Sequence, residues 1–173
     1  MKKQRVLLAV VAFALGSGSL WSLRADDAKK ADDDDKVTDI GKAIAPVPLT
    51  FRAKDKKKVY RGSYIVNAQG GCNDCHTPSY FFGKPDMARF LGGSEVGFEL
   101  PGLGVFYGPN LTPDKATGLG DWTDAEIKAA ITQGKRKDGT PLKGPMGYQY
   151  YANMTDADLD AVIAYVRALP AKE

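Results

Sequence analysis

The sequence predicts a small, mostly α-helical domain with long irregular loops and one hairpin. Three observations predict it. Apolar residues recur at helical spacing in three separate stretches, around 60–68, 123–134 and 155–170. The region 77–122 between the first and second is rich in glycine and proline. Both cysteines and the single histidine of the 173-residue chain stand together in GGCNDCHTP, residues 70–78.

The first 25 residues read as an export leader rather than as part of the fold. MKKQR is a basic start, residues 6–15 (VLLAVVAFAL) are strongly apolar, and GSGSLWSLRA leads to a cleavage site after Ala25, with Leu23 at the −3 position. The apolar run is shorter than the roughly 20 residues of a spanning helix; the alternative is an uncleaved N-terminal anchor. The leader holds four of the 24 basic residues and none of the 21 acidic ones, so the remaining chain carries a net charge of −1. The formal +3 of the whole chain therefore gives no reason to expect nucleic acid as a partner, and no nucleic-acid motif is present.

Residues 26–56 read as a charged, proline-rich linker. DDAKKADDDDK offers nothing to bury, and APVP at 45–48 favours extended backbone. DDDDK (32–36) also matches a protease site commonly introduced by engineering; the intact leader ahead of it favours a natural spacer. FRAKDKKKVYR (51–61) reads as the solvated start of a helix. The domain is expected from 57 to 173.

Within it, Tyr60, Tyr64, Ile65 and Ala68 form one face of a short helix that stops at Gly70–Gly71. EVGFEL and VFY flank PGLG as the two arms of a hairpin. Thr123 and Glu126 form a capping box, ahead of an apolar stripe at Ile127, Ala130 and Ile131 and a stop at Gly134. The last helix starts at Thr155. Asp156 and Asp158 suit the positive end of its dipole, Leu159, Val162, Ile163, Val166 and Leu169 form its stripe, and Pro170 ends it. This is little regular structure for the length, which points to something besides side chains filling the core.

Four chemistries compete for Cys72-Asn73-Asp74-Cys75-His76. A disulfide is compatible with export. A redox-active C-x-x-C pair wants a βαβ setting, which is not visible. Structural zinc needs four ligands, and two cysteines with one histidine fall short. The fourth is covalent haem attachment through C-x-x-C-H. Two thiols add across the two vinyl groups on one edge of the porphyrin, and the next residue, His76, reaches the iron from one face. That chemistry needs all three residues side by side and none elsewhere, and it is the reading the sequence favours.

The sixth ligand decides what such a haem does. With histidine exhausted, a methionine thioether remains, and Met/His ligation is the electron-transfer arrangement. Outside the leader the candidates are Met87, Met146 and Met154. Met87 has only a short span of chain from His76. Met154 sits beside the N-cap of the last helix, as a hydrophobic staple would. Met146 lies in a Gly/Pro loop able to drape over a flat ligand, and position favours it.

RGSYIVNAQGGCNDCHTP, GPNLTPDKATGLGDWTDAEIKAAITQG and GPMGYQYYANMTDADLDAVIAYVRALP, in that order, resemble the monohaem cytochrome c family. The similarity includes the cytochrome c subunits of bacterial membrane-bound alcohol and sugar-acid dehydrogenases. The resemblance implies a small fold of about three to five helices around one covalently bound haem c and its iron. Its N-terminal helix would cross its C-terminal helix. It implies Cys72 and Cys75 as attachment sites, His76 as proximal ligand and Met146 as distal ligand. The family's P-x-M-P-Y segment matches Pro145-Met146-Gly147-Tyr148, with glycine in place of the second proline. It further implies that the Pro109 carbonyl accepts the His76 Nδ1–H and that Trp122 bonds a haem propionate.

The function expected is an exported, periplasmic electron carrier, not itself an enzyme. It would pass electrons between redox partner proteins, a dehydrogenase donor and a respiratory acceptor, and would meet the membrane only if the leader is retained. Lys115, Lys135, Arg136, Lys137 and Lys143 lie near the Met146 loop and could steer an acidic partner. The alternative is a haem enzyme or gas sensor with an open sixth site, peroxidase-like, whose distal pocket would want a second histidine that this chain lacks.

Overall fold

The computed structural model describes residues 18–173, with side chains from residue 26 onward except those of Phe81 and Phe98. Most of the expected leader, residues 1–17, lies outside the described residues. No helix among the described residues is long and apolar enough to cross a membrane. The chain divides into two units, residues 1–33 and 34–173. What is described of the first is helical backbone, the beginning of α1 (Gly18–Ala43).

The second unit opens with the end of α1, and here the structure corrects the expectation of a spacer with nothing to bury. Asp34 pairs with Arg61 at 3.0 Å, and Asp35 pairs with Lys57. Thr38 and Gly41 are buried. A Cβ on Gly41 would stand 1.9 Å from the Tyr60 carbonyl oxygen, so α1 touches the next helix backbone to backbone. The buried Ser63 Oγ–H donates to the Gly41 carbonyl at 2.7 Å. The charge run looks solvated in sequence because its counter-charges sit some two dozen residues downstream.

After an irregular segment and a 3₁₀ turn (Ala53–Asp55), helix α2 (Lys56–Tyr64) runs straight into a π-helical turn, Ile65–Gln69. The expected helix over 60–68 is thus present but starts earlier and ends in a wider turn. Helix α6 (Asp156–Ala168) crosses α2. Thr155 caps α6, its Oγ accepting from the Asp158 N–H at 3.2 Å. The crossing is set by Gly62, where a Cβ would fall 1.9 Å from the Ala161 carbonyl oxygen and 2.7 Å from the Tyr165 Cβ. Around it Val59, Ile65 and Val66 of α2 and its extension meet Ala161, Val162, Tyr165, Val166 and Leu169, all buried. Each fully buried side chain of this size stabilises by about 1.5–3 kcal/mol relative to exposure. Arg61, whose Nε donates to Asp158 at 2.7 Å, staples the polar edge of the crossing.

Helix α3 (Cys72–His76) is a single turn. A long loop follows, then the hairpin β1 (Phe98–Leu100) and β2 (Gly104–Phe106), antiparallel with Glu99 opposite Val105. Helix α4 (Asp124–Gln133) carries the expected capping box, with the Thr123 hydroxyl and the Glu126 carboxylate each accepting from the other residue's N–H, and closes at Gly134. A short helix, α5 (Tyr148–Tyr151), was not apparent from periodicity. The mostly α fold with one small hairpin is the expected one.

The 77–97 loop is held from outside by Arg89, which grips both oxygens of Glu95 at 2.6 and 2.7 Å and Asp86 at 2.9 Å. The Arg89 guanidinium draws the Glu95 carboxyl down from its ordinary 4.5 to about 2. A depressed folded-state pKa stabilises above the unfolded value and ceases to as pH falls through the folded one. Glu95→Gln should therefore lower the denaturant midpoint fully near about pH 6. The deficit should shrink as the pH drops below 4.5 towards about 2; a deficit of constant size across that range would rule the pair out as its source.

Candidate functional site

The site begins with the one-turn helix α3. Cys72 and Cys75, three residues apart, lie on one face of it, both half-buried and both free thiols. Burial pushes the Cys72 thiol up to about 11 and raises that of Cys75 as well, with the Asp74 charge adding to each. Both are therefore neutral S–H groups at ordinary pH.

His76, the last residue of the turn, is buried and clamped by two loop segments. Its Nδ1–H donates to the Pro109 carbonyl at 2.7 Å. Its own carbonyl accepts from the Gly93 N–H at 2.9 Å. Burial lowers the imidazole pKa, and the Pro109 bond only partly offsets this, so the ring is neutral with Nε2 left as a free lone pair. The clamp is closed by Gly108, where a Cβ would sit 1.8 Å from the Cys75 carbonyl oxygen. Fully buried Leu91 adopts a left-handed backbone, φ 55°. That conformation is strained for leucine by about 1–2 kcal/mol. It is held because Leu91 donates to Thr77 Oγ at 3.0 Å and accepts from the Leu111 N–H at 2.9 Å.

Behind the turn runs a buried polar chain. Asn73, between the two cysteines, donates to Asn67 Oδ1 at 3.3 Å. Asn67 Nδ2 donates to Tyr165 Oη at 3.0 Å and to Ser63 Oγ at 3.1 Å, and Ser63 reaches the Gly41 carbonyl. The π-helical turn carries Asn67 at its centre and so places it between α2, α6 and α3. Asn73 Oδ1 is buried with no hydrogen-bond partner.

The three methionines occupy different settings. Met154 is half-buried and packed against the core of α2 and α6. Met87 is exposed, on a 3₁₀ turn (Met87–Arg89). Met146 is half-buried in the loop ahead of α5. In that loop Gly144 takes φ 122°, and a Cβ there would stand 2.8 Å from the Phe106 ring, so the hairpin braces it. Trp122 is half-buried beside the N-cap of α4, its carbonyl accepting from Arg167 at 2.8 Å. Lys115, Lys135, Arg136, Lys137 and Lys143 are all exposed, and the Lys137 Nζ donates to the Asp121 carbonyl at 2.6 Å. Two surface clefts, of about 430 and 370 Å³, lie against α2 and include no residue of 70–78.

The donor set discriminates among the chemistries. Two neutral thiols on one face and one neutral imidazole with an oriented Nδ1–H fit a haem held by two thioethers and one axial nitrogen. They do not fit zinc, since no group of three or more His, Cys, Asp and Glu able to hold a metal ion occurs among the described residues. Tyr80, Phe82 and Met87 beyond the turn, and Tyr150 beyond Met146, are exposed. Sequence reasoning singled out Cys72, Cys75, His76, Pro109, Trp122 and Met146. It missed Leu91, Gly93, Gly108 and Asn67, whose parts depend on contacts far along the chain; the Gly92-Gly93 and Gly108-Pro109 pairs were the available signal.

The family model described as Cytochrome c matches residues 59–170. The fructose dehydrogenase cytochrome subunit of Gluconobacter japonicus is 31% identical over 139 residues, covering 77% of this chain and 26% of that protein. The cytochrome c subunit of a quinone-dependent alcohol dehydrogenase from Gluconacetobacter polyoxogenes is 34% identical over 125 residues, 72% of this chain and 24% of that protein. The gluconate 2-dehydrogenase cytochrome c subunit of Pantoea cypripedii is 37% identical over 107 residues, 62% and 22% respectively. The chain spans about a quarter of the length of these relatives.

Proposed function

This chain belongs to the cytochrome c family, and from that premise we propose that it is an exported electron carrier with a single haem held by His76 and Met146. When bound, the haem supplies a one-electron iron couple, and no substrate bond is made or broken. The observation that carries the reading is the turn itself, two free thiols on one face followed by a histidine whose Nδ1–H is committed to Pro109. Cys72 and Cys75 are the attachment points. Donation to Pro109 fixes the His76 ring and makes Nε2 a stronger donor. The presence of only two cysteines supports one haem. Met146 is favoured because Met154 is spent in the core and Met87 lies on an exposed turn.

The partner proposed is a dehydrogenase, with a respiratory component as acceptor, in the periplasm. Three relatives are named as dehydrogenase cytochrome subunits, and the leader-like first 25 residues support export. The test is the optical spectrum of the purified holoprotein, oxidised and reduced, beside Met146→Ala. His/Met ligation gives a sharp low-spin reduced spectrum and a weak far-red band when oxidised. Met146→Ala should abolish that band and lower the midpoint potential by something on the order of 0.1 V, within the roughly 0.8 V that axial ligands span. A high-spin spectrum in the unaltered protein, shifting with carbon monoxide or peroxide, would instead mean an open sixth site.

A further inference from the structure

We infer that Tyr151 is a positioning residue that latches the Met146 loop to the haem-attachment turn, so that its hydroxyl governs how firmly Met146 holds the iron. The inference rests on Met146 as sixth ligand. Tyr151 ends α5, and its O–H donates to the Gly70 carbonyl at 2.8 Å across 81 residues of sequence. Gly70 is the second residue before Cys72 and is itself fixed, its N–H donating to Ile65 at 2.7 Å to close the π-helical turn. The acceptor is therefore rigid and belongs to the segment that carries both thiols and His76.

The other end of the latch is equally short. Tyr148 donates its N–H to the Met146 carbonyl at 2.9 Å, and Tyr151 donates its N–H to the Gly147 carbonyl at 3.2 Å. Met146 and Tyr151 are thus joined through one compact turn. The Tyr148 ring lies against Gly134, where a Cβ would be 2.8 Å away, and Phe106 lies against Gly144. Those two contacts fasten the loop to α4 and to the hairpin. The Tyr151 bond fastens it to the cysteine-bearing turn, so it links the segment carrying Met146 to the one carrying His76. Tyr151 is half-buried, and burial raises its phenol pKa, so the O–H remains a donor through neutral pH.

Tyr151→Phe removes one hydroxyl and keeps the ring. Loss of the bond should ease departure of Met146, and exogenous imidazole, which competes for the same position, reports it. The expected result is an apparent imidazole affinity of the oxidised holoprotein about fivefold higher, the factor equivalent to one ordinary hydrogen bond. Tyr150→Phe, the same chemical change one residue away on a side chain 74% exposed, should leave imidazole affinity unchanged. A role in general stability alone would lower the unfolding midpoint of Tyr151→Phe without moving its imidazole affinity relative to Tyr150→Phe, and that result overturns the latch. Met146→Ala separates the two readings. If it abolishes the far-red band, the ligand assignment stands and the tyrosine pair decides the latch alone; if the band survives, the ligand assignment fails and the latch fails with it.

Discussion

Gly62→Ala should destabilise the holoprotein by about 3 kcal/mol, the upper part of the range for overpacking a tight contact. The methyl group would arrive 1.9 Å from the Ala161 carbonyl oxygen and 2.6 Å from its carbon. Both atoms are backbone of α6, so no rotamer change relieves the clash and the helices must separate. Separation is costly because the same crossing buries Val59, Ile65, Val66, Val162, Tyr165 and Val166. It also stretches the bonds from Asn67 to Tyr165 and from Arg61 to Asp158. Alanine improves helix propensity by about 1 kcal/mol over glycine, so a destabilised variant cannot be explained by local helix formation. Denaturant unfolding of the holoprotein followed by far-UV circular dichroism measures it. A midpoint equal to that of the unaltered protein would show that the crossing is looser than the structure has it.

That glycine illustrates what the sequence disclosed and what it withheld. The caps at Thr123 and Thr155, the stripe of α6 and the hairpin around PGLG were all legible, because each is written in residues a few positions apart. Cys72, Cys75 and His76 were legible for the same reason. Gly62 reads locally as a defect in an amphipathic helix, and its purpose lies on Ala161, almost a hundred positions away. Asn67 reads as one more polar residue until the π-helical turn and Tyr165 give it a place. Residues 34–43 looked like solvated spacer because charge patterning along a helix says nothing of counter-charges on another; Lys57 and Arg61 supply them. Of the candidate site residues, the structure gives Pro109 a direct contact with His76. Met146, by contrast, is braced through Phe106 and α5.

Gly108→Ala should raise the midpoint potential by about 40 mV, the one-electron equivalent of ~1 kcal/mol. Gly108 lies against α3, and a Cβ would stand 1.8 Å from the Cys75 carbonyl oxygen and 3.1 Å from the His76 Cα. Its carbonyl is held from the other side by the Ser94 N–H at 2.9 Å. The added methyl can be accommodated only by lifting the segment 107–110 off the turn. Pro109 is the next residue, so its carbonyl moves away from the His76 Nδ1–H that it accepts at 2.7 Å. A histidine that donates this proton strongly is a more basic ligand and favours the ferric iron; weakening the bond favours the ferrous iron and moves the potential upward. The far-red band expected from the proposed Met146 ligation should persist, because the change is confined to the segment against His76. Redox titration with that band as internal control distinguishes the outcomes. A rise with the band intact supports the Pro109 clamp as the element tuning His76, whereas a fall in potential, or no change, would mean that the clamp holds the ring in place without setting its basicity.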